Sequence, residues 1–243
     1  MEYPRTPNTL MLLGVSAALA AGACDRSPTL MQGDASSSSS PPAGTVHAMK
    51  EYAATPPARL GTLPAGFGIS VGEPAPDELV EDTDRHAVRL SDLMKRGPIL
   101  LAFYRGGWCP YCSFEIHELT AAYPDYQKRG VTPVAISVDR EEEAAKTNAT
   151  YHIPFPVLSD PDLHAHQAYR VIHHADDAET AKLKSYGIDI EQASGRQHHS
   201  FAVPALFLID TGGIIRWAHA DPDYKTRPRT AQILAAIDAT LAR

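Results

Sequence analysis

Two cysteines separated by two residues, Cys109 and Cys112, are the side chains of this chain best suited to reactive chemistry. They come after an apolar run at 99–104 and a Gly-Gly pair, and the residues that follow predict a helix over 113–128. A thiol at such a junction lies near free N–H groups and the positive end of the helix dipole, which favour a thiolate. The i, i+3 spacing puts both sulfurs on one helix face. The pattern therefore predicts a redox-active dithiol.

The two thiols are expected to have different roles. Cys109 lies at the exposed end of the predicted helix and Arg105 adds positive charge, so we expect Cys109 to be the more acidic thiol and the attacking nucleophile. Cys112, one turn further in, is then the resolving thiol that closes the disulfide with Cys109. The alternative is a buried structural pair or an incidental disulfide. A zinc site is disfavoured, because two neighbouring cysteines would need distant histidines to complete a tetrahedral set.

Trp108 stands immediately before the predicted nucleophile. One interpretation is that its indole shields the thiol and offers a flat surface to a partner. The other interpretation is an ordinary aromatic side chain of the core. Trp108 is therefore a candidate site residue together with Arg105 and the two cysteines.

Composition limits the classes of protein to which the chain can belong. Its 243 residues are 44% hydrophobic and 21% charged, which is enough for one domain with a substantial core. The net charge of −7 and the absence of a basic stripe argue against a nucleic-acid partner. Of three cysteines, only Cys109 and Cys112 can pair at short range, so a disulfide-stapled framework is excluded. The sequence has no glycine-rich phosphate loop, and we expect no cofactor.

Eleven histidines are scattered along the chain. They include adjacent pairs at 173–174 and 198–199 and a His-x-His at 164–166, whose side chains point to different faces of a helix. Metal binding within 172–200 is one interpretation of these residues, and solvated loop positions are the other. We predict that no metal is bound.

The N-terminus has the form of an export signal. Residues 10–23 are an apolar run that follows Arg5, is short for a membrane span and ends in small residues. Cys24 comes next, and the arrangement resembles a bacterial lipoprotein signal in which that cysteine is lipidated. The sequence thus predicts a signal peptide over 1–24 and a periplasmic or cell-envelope lipoprotein that touches the membrane only through its lipid anchor. A cleaved secretory signal is the alternative.

Residues 25–68 are predicted to be a disordered linker rich in Ser and Pro. The serine run at 36–40 and the prolines after it cannot bury enough apolar surface to offset the entropy of ordering. A short helix over 48–54 is the one element expected in this tract. The folded domain is then expected over 69–243.

Strands and helices alternate along the folded domain. Periodicity predicts strands at 78–82, 86–90, 99–104, 131–138, 155–158, 201–210 and 214–220, and helices at 91–95, 113–128, 141–151, 163–171, 178–186 and 229–242. The segment 172–200 has weak periodicity and is predicted to be an insertion that covers the site. Alternating strands and helices followed by a hairpin indicate a three-layer α/β/α domain with a mixed central sheet.

Several motifs together resemble a known family. Trp108-Cys-Pro-Tyr-Cys112 with Val203-Pro204-Ala-Leu-Phe-Leu-Ile-Asp210 is similar to a thioredoxin-fold protein. Further motifs resemble the peroxiredoxin-like branch of the alkyl hydroperoxide reductase/thiol-specific antioxidant family. These are Val71-Gly-Glu-Pro-Ala-Pro-Asp77, Leu90-Ser-Asp-Leu93, Phe103-Tyr-Arg-Gly-Gly-Trp-Cys-Pro-Tyr-Cys112, Ala135-Ile-Ser-Val-Asp139, Leu158-Ser-Asp160 and Ala220-Asp-Pro-Asp-Tyr-Lys-Thr-Arg-Pro228.

The resemblance covers roughly residues 70–243 and implies a thioredoxin-like enzyme with a working dithiol. In a peroxidase, Cys109 attacks the O–O bond of a hydroperoxide and the resulting sulfenic acid condenses with Cys112. In a disulfide oxidoreductase, the same thiolate attacks a protein disulfide. Either cycle needs an external, thioredoxin-like thiol reductant. The peroxidase is our leading prediction, the exported oxidoreductase is the second, and a non-catalytic interaction module is the third.

The chain departs from the pattern of authentic peroxiredoxins at three positions. Gly106 stands three residues before the nucleophile where those proteins have Thr, and Arg105 stands where they have a proline. Pro204 stands near the place of their arginine. Arg105, Arg216 and Thr226 are therefore the candidates to supply the hydrogen bonds that polarise a peroxide.

Pro204 also carries a structural prediction. In a thioredoxin-like layout, a Val-Pro before a central strand is commonly cis and faces the C-x-x-C. The resemblance thus implies a cis Val203–Pro204 bond beside the dithiol and makes Pro204 a site residue. The alternative is a proline that merely begins a strand.

Overall fold

The computed structural model describes residues 49–241, which belong to one compact unit. Its strands are β1 (Ala53–Ala54), β2 (Leu79–Asp82), β3 (Ala87–Arg89), β4 (Ile99–Phe103), β5 (Thr132–Ser137), β6 (Val157–Ser159), β7 (Ile172–His174), β8 (Ser200–Ala202), β9 (Ala205–Ile209), β10 (Ile215–Ala220) and β11 (Thr226–Arg227). Its α-helices are α1 (Leu90–Met94), α2 (Pro110–Ala121), α3 (Tyr123–Lys128), α4 (Glu141–Tyr151), α5 (His164–Ala168), α6 (Asp177–Ser185), α7 (Ile190–Ser194) and α8 (Thr230–Leu241).

A seven-stranded mixed sheet forms the centre, in the order β10-β9-β4-β5-β6-β2-β3. Strands β4, β5 and β6 are parallel, and antiparallel pairs join β9 to β4 and β2 to β6. One face of the sheet is packed against α2, α3, α4 and α8, and the other against α1 and α5. The predicted thioredoxin-like three-layer α/β/α fold is therefore confirmed.

The central position of β4 follows from its sequence. Ile99, Leu101 and Phe103 belong to the core on one face of the sheet, whereas Leu100 and Ala102 belong to the core on the other. Side chains alternate along a strand, so a strand covered on both faces must be apolar at every position. This requirement explains the continuous apolar run and places the C-terminal end of β4, which leads to the dithiol, at the middle of the sheet.

The predicted helix over 113–128 is in fact two helices. The first, α2, begins at Pro110, and the chain leaves helical geometry at Ala122 before α3 starts. Pro124 stands in the first turn of α3, where a residue without an N–H begins a helix readily but does not continue one.

The predicted strand over 201–210 is also divided. Its first part, β8, pairs with β7 in a separate two-stranded sheet, and β9 enters the central sheet. Pro204 lies between them, and its carbonyl accepts a hydrogen bond from the Asp221 N–H at 3.2 Å. The expectation of a cis Val203–Pro204 bond is wrong, because residues 49–241 contain no cis peptide. Pro204 lies where the chain passes from one sheet to the other, directly after the Val203 N–H that donates to the Val171 carbonyl at 2.7 Å.

The last part of the predicted linker, residues 49–68, is packed against the domain. Strand β1 stands where a helix over 48–54 was expected, and it pairs in parallel with β11. Tyr52 and Thr55 are buried there. Backbone pairing with β11 and the burial of Tyr52 supply the stabilisation that the local composition lacks. The signal peptide, Cys24 and the rest of the linker lie outside the described residues.

The segment 172–200 is ordered and contains β7, α6 and α7. The helix predicted at 178–186 corresponds to α6, which begins at Asp177 with Asp176 as its side-chain N-cap. Apolar residues of this segment, such as Ala175 and Leu183, form a small core with Phe201, and Trp108 packs against that core. Within residues 49–241, no helix is both long and apolar enough to cross a membrane.

Candidate active site

The loop between β4 and α2 requires its two glycines. Gly106 has φ +150°, and a Cβ atom there would lie 2.2 Å from the indole nitrogen of Trp108. A Cβ atom on Gly107 would lie 2.1 Å from the Thr147 hydroxyl. Both distances are far below van der Waals contact, so only glycine lets the loop pass beneath Trp108 and deliver Cys109 to the start of α2.

Cys109 occupies the N-cap position of α2, and Pro110 is the first residue of the helix. Both cysteines are free thiols, and both are 0% exposed. Cys109 thus lies at the start of a helix, as predicted, but the expectation that it lies at an exposed end is wrong. Tyr111 and Tyr224 pack against the buried cluster that contains the two sulfurs.

The surroundings of Cys109 favour its thiolate. Burial alone would raise the pKa of this thiol. The hydrogen bond from the Cys112 thiol and the charges of Arg105 and Arg227 outweigh burial, and together they lower the pKa of Cys109 to about 6. The Arg105 guanidinium lies 4.0 Å from the Cys109 sulfur. A pKa of about 6 makes Cys109 mostly a thiolate at neutral pH although its sulfur is buried.

Arg105 is itself held by aromatic rings. Its side chain is buried, with the guanidinium carbon 4.1 Å from the ring centre of Tyr224, 4.4 Å from that of Phe201 and 5.0 Å from that of Trp108. Glu179, on α6, approaches its Nη2 to 3.7 Å. The cation–π contacts keep the guanidinium near the thiolate without neutralising its charge.

The surroundings of Cys112 have the opposite effect. Burial, followed by the hydrogen bond to Cys109 and the charge of the Cys109 thiolate, raises the pKa of Cys112 well above its usual value. Arg227 lies 3.6 Å from the Cys112 sulfur and donates to the buried Glu115 carboxylate at 3.0 Å. Cys112 therefore remains a protonated thiol that donates to Cys109, as a resolving residue would.

A second buried carboxyl, Asp139, lies below the glycine loop at the end of β5. It accepts hydrogen bonds from the Gly107 N–H at 2.7 Å and from the Ser137 hydroxyl at 3.1 Å. Its other oxygen has no partner within residues 49–241. Burial raises the pKa of Asp139 to about 7, against the effect of those hydrogen bonds. The carboxyl thus holds the loop that leads to Cys109.

Two of the candidates for polarising a peroxide lie away from the sulfurs. Arg216 is half exposed on β10 and donates to Asp210 at 2.6 Å. The Thr226 hydroxyl donates to Asp223 at 2.9 Å within the turn before β11. Arg105 alone among the three has a contact with a cysteine sulfur within hydrogen-bonding range in the described part of the chain.

Sequence reasoning missed four residues of the site. They are Glu115, Asp139, Glu179 and Arg227, each of which contacts another site residue from a different element. Only Glu115 carried a local signal, because it is a charged residue on the buried side of α2, one turn after Cys112. The other three residues join the site only because the fold brings segments together that are distant in the sequence.

The histidines of the segment 172–200 contact protein groups. His173 bonds to Glu179 at 2.6 Å, His174 to Ser200 at 3.1 Å, His198 to the Pro161 carbonyl at 2.9 Å and His199 to Glu191 at 2.9 Å. Within residues 49–241, a cluster with the spacing of a metal site occurs only in the β2–β3 turn, at Asp82, Asp84 and His86. Hydrogen bonds within that turn account for it, since Asp82 accepts from the backbone N–H groups of the other two.

The pattern of the AhpC/TSA family matches residues 71–218, which include the dithiol and the central sheet. The chain belongs to the AhpC/TSA family. Its curated relatives include the thiol-disulfide oxidoreductase ResA of Bacillus subtilis (strain 168), 35% identical over 104 residues that cover 42% of this chain and 57% of the relative. ResA of Geobacillus kaustophilus (strain HTA426) is 33% identical over 104 residues, which cover 42% of this chain and 59% of that protein. The chain thus spans little more than half the length of these curated relatives.

Solved structures of peroxiredoxins share the fold of this AhpC/TSA protein. Peroxidoxin BcpB from Mycobacterium tuberculosis superposes with a TM-score of 0.55 at 18% identity, covering 71% of this chain and 97% of the other. A mutant of PrxQ from Xylella fastidiosa superposes with a TM-score of 0.57 at 18% identity, covering 73% of this chain and 100% of the other. At these identities the likeness concerns the fold alone. Family membership and the ResA relatives support a thiol oxidoreductase.

Proposed function

We propose that this protein is an exported, thiol-dependent peroxidase. The observation that carries the proposal is a thiol that is 0% exposed and yet has its pKa lowered to about 6, with a guanidinium 4.0 Å from its sulfur. A small hydroperoxide needs a much smaller opening of the structure to reach this buried thiolate than a protein disulfide does. A protein disulfide can be attacked only by a thiolate that its sulfur can approach in line. Cys109 is buried in this structure and is not accessible to such a substrate.

The peroxidase cycle has two steps in this site. The Cys109 thiolate attacks one oxygen of the hydroperoxide, so that an S–O bond forms, the O–O bond breaks and the leaving oxygen takes up a proton as an alcohol or water. The Cys112 sulfur then attacks Cys109, a disulfide forms, and water leaves. An external thiol reductant then reduces the Cys109–Cys112 disulfide and regenerates both thiols. Arg105, which is buried with its Nη1 4.0 Å from the Cys109 sulfur, stabilises the Cys109 thiolate and the negative charge that develops on the leaving oxygen.

Export rests on the N-terminal sequence. The apolar run at 10–23 and Cys24 support a lipoprotein signal, with a hydroperoxide of the cell envelope as substrate and a thioredoxin-like protein as reductant. A change of Cys24 to Ser, followed by fractionation of membranes and soluble extract, tests this part. Release of the variant from the membrane fraction is expected, and equal membrane binding of both forms would contradict lipidation at Cys24.

A thiol-disulfide oxidoreductase is the second candidate. It is favoured by the similarity to ResA and by the adjacency of the two thiols at the start of α2. In that case a segment that covers Cys109 must move aside before a protein disulfide can be attacked, and Cys112 would release the mixed disulfide.

One assay separates the two candidates. The reduced protein is mixed with hydrogen peroxide or cumene hydroperoxide, and peroxide loss is followed beside insulin reduction for the wild type, Cys109→Ser and Cys112→Ser. We expect wild-type turnover of peroxide, no reaction for Cys109→Ser, and a single turnover for Cys112→Ser. Peroxide turnover by Cys109→Ser would overturn the assignment of the nucleophile. Rapid insulin reduction without peroxide loss would select the oxidoreductase.

A further inference from the structure

Two segments outside the AhpC/TSA match, residues 50–55 and 225–229, meet beside Cys112. We call this pair of segments the clip. Within it, the Ala53 N–H donates to the Lys225 carbonyl and the Thr55 N–H donates to the Arg227 carbonyl, each at 2.8 Å. The clip is thus a two-stranded parallel sheet built from the two ends of the described chain.

The clip is fastened to the helix that carries the dithiol. The Lys50 N–H donates to the carbonyl of Pro110, the residue directly after Cys109, at 3.1 Å. The Tyr52 ring packs edge-on against Phe114 of α2 with ring centres 5.2 Å apart. On the other side, the guanidinium of Arg229 donates to the Tyr52 carbonyl at 2.9 Å. The clip therefore fixes the distance between β11 and the first turn of α2.

The clip brings one functional group to the dithiol, the guanidinium of Arg227. This side chain is buried, with its backbone carbonyl held by Thr55, its Nε bonded to Glu115 at 3.0 Å and its Nη2 3.6 Å from the Cys112 sulfur. Glu115 and the two thiols keep the pKa of Arg227 above its usual value although burial opposes this, so the group stays charged. Arg227 is therefore a fixed positive charge aimed at the resolving thiol.

We propose that the clip positions Arg227 as a catalytic residue for the second half of the cycle, in which Cys112 attacks oxidised Cys109. In that step the Cys112 thiol releases its proton, its sulfur forms the S–S bond, the S–O bond of the sulfenic acid breaks, and the hydroxide leaves with that proton as water. The charge of Arg227 stabilises the Cys112 thiolate that burial disfavours. The inference rests on the proposed dithiol cycle, but it does not depend on which oxidant attacks Cys109.

The test separates the two halves of the cycle in the full-length chain. The reduced protein is mixed with equimolar hydrogen peroxide, and sulfenic acid on Cys109 is trapped with dimedone while disulfide formation is followed by mass spectrometry. Ala53→Pro removes the N–H that bonds to Lys225. Ala54→Pro is the matched control, because alternate N–H groups of a parallel strand face the neighbour and the Ala54 N–H faces away from β11.

We expect Ala53→Pro to slow disulfide formation roughly tenfold, with accumulation of the dimedone adduct. The first step should slow by less, because Arg227 is one of several groups that lower the pKa of Cys109. Ala54→Pro should behave as the wild type. Because Ala53→Pro can unfold the clip more widely, a second variant removes both buried charges at once, Glu115→Gln with Arg227→Gln, so that neither is left unpaired. It should show the same slow second step. Wild-type disulfide formation in both variants would overturn the inference.

Failure of the inference can be told apart from failure of the proposed function. Diamide places a leaving group on Cys109 that Cys112 displaces, so it replaces peroxide in a parallel experiment. Suppose that the wild type does not react with peroxide, but that the variants form the disulfide with diamide more slowly than the wild type does. The peroxidase proposal is then rejected and the role of Arg227 stands. Equal rates with both oxidants in every variant would reject the role of Arg227 alone.

Discussion

The two buried carboxyls beneath the dithiol differ in what they are paired with. Glu115, behind Cys112, is bonded to the guanidinium of Arg227. Asp139, below the loop of Cys109, has two hydrogen-bond donors within residues 49–241, a backbone N–H and a serine hydroxyl. One carboxyl thus cancels a cation, whereas the other is held by neutral donors, and its pKa is raised to about 7.

The two arginines differ in the corresponding way. Arg105 stands 4.0 Å from the Cys109 sulfur, and its acidic neighbour, Glu179, is 34% exposed and 3.7 Å away. Arg227 forms a 3.0 Å ion pair within the protein interior. Arg105 and Arg227 both lower the pKa of Cys109, whereas at Cys112 the charge of Arg227 is partly offset by that of Glu115. Both thiols are buried, but the Cys112 thiol donates a hydrogen bond to Cys109, and the Cys109 thiolate then opposes ionisation of Cys112. This asymmetry is the main reason why the pKa values of two thiols one helical turn apart shift in opposite directions.

The largest effect is expected from Asp139→Asn, which removes the unpaired carboxyl but keeps an oxygen to accept from the loop. The folded protein raises the pKa of Asp139 from 3.8 to about 7, so the folded state binds a proton that the unfolded state releases as pH rises between these values. Stability should therefore fall from pH 4 to pH 7 in the wild type relative to Asp139→Asn, by up to about 4 kcal/mol, and remain level above that.

Urea unfolding of both proteins across this pH range measures the difference. Asp125→Asn is the control, because the pKa of that exposed carboxyl is lowered by Lys128. Its contribution to stability is present at neutral pH and lost on acidification, so the control should show a small trend of opposite sign. A constant difference between the wild type and Asp139→Asn would show that Asp139 is ionised in the folded protein.

The next effect concerns the hydrogen bond between the thiols. In Cys112→Ala the donor to the Cys109 thiolate is lost, so the pKa of Cys109 should rise from about 6 by roughly 1–2 units. The midpoint of iodoacetamide alkylation against pH reports this value directly. Cys112→Ser restores a donor and should keep the midpoint near that of the wild type. Equal midpoints for Ala and Ser would show that the charges of the arginines act without help from Cys112.

Removal of the positive charge of Arg105 should have a somewhat smaller effect on the pKa of Cys109. Arg105→Met keeps apolar contact with the aromatic rings but removes the charge, so the pKa of Cys109 should rise by roughly one unit and alkylation at pH 6.5 should slow by several fold. Arg216→Met, which removes an arginine from the exposed hairpin, is the control and should leave the rate unchanged. Equal rates for wild type and Arg105→Met would remove Arg105 from the candidate site.

The smallest effect is expected from Glu179→Gln. The carboxylate of Glu179 is partly exposed, so water screens much of its action on Arg105. Loss of its negative charge should lower the pKa of Cys109 slightly and raise the alkylation rate at pH 6 by less than about twofold. A slower rate would instead mean that Glu179 holds Arg105 in place and that the aromatic rings do not suffice.

Local sequence patterns account for the fold and the core of the site. The alternation of side chains along β4 and β9 requires apolar residues on both faces, and that signature is visible without any knowledge of partners. The Gly-Gly pair, Cys109 and Pro110 mark a strand-to-helix junction for reasons of backbone geometry that involve only neighbouring residues. A proline within a predicted element divides it in two, as Pro124 does for the helix and Pro204 for the strand.

The sequence by itself thus determined the dithiol, its place at the start of a helix and the three-layer domain around it, because these depend on interactions between near neighbours. Only the tertiary structure decided the charges on that dithiol. Arg227 and Glu115 are 112 residues apart, and Gly107 and Asp139 are 32 apart. Periodicity and spacing carry no information about such pairs, and the burial that shifts their pKa values exists only once the sheet, the helices and the clip have closed around them.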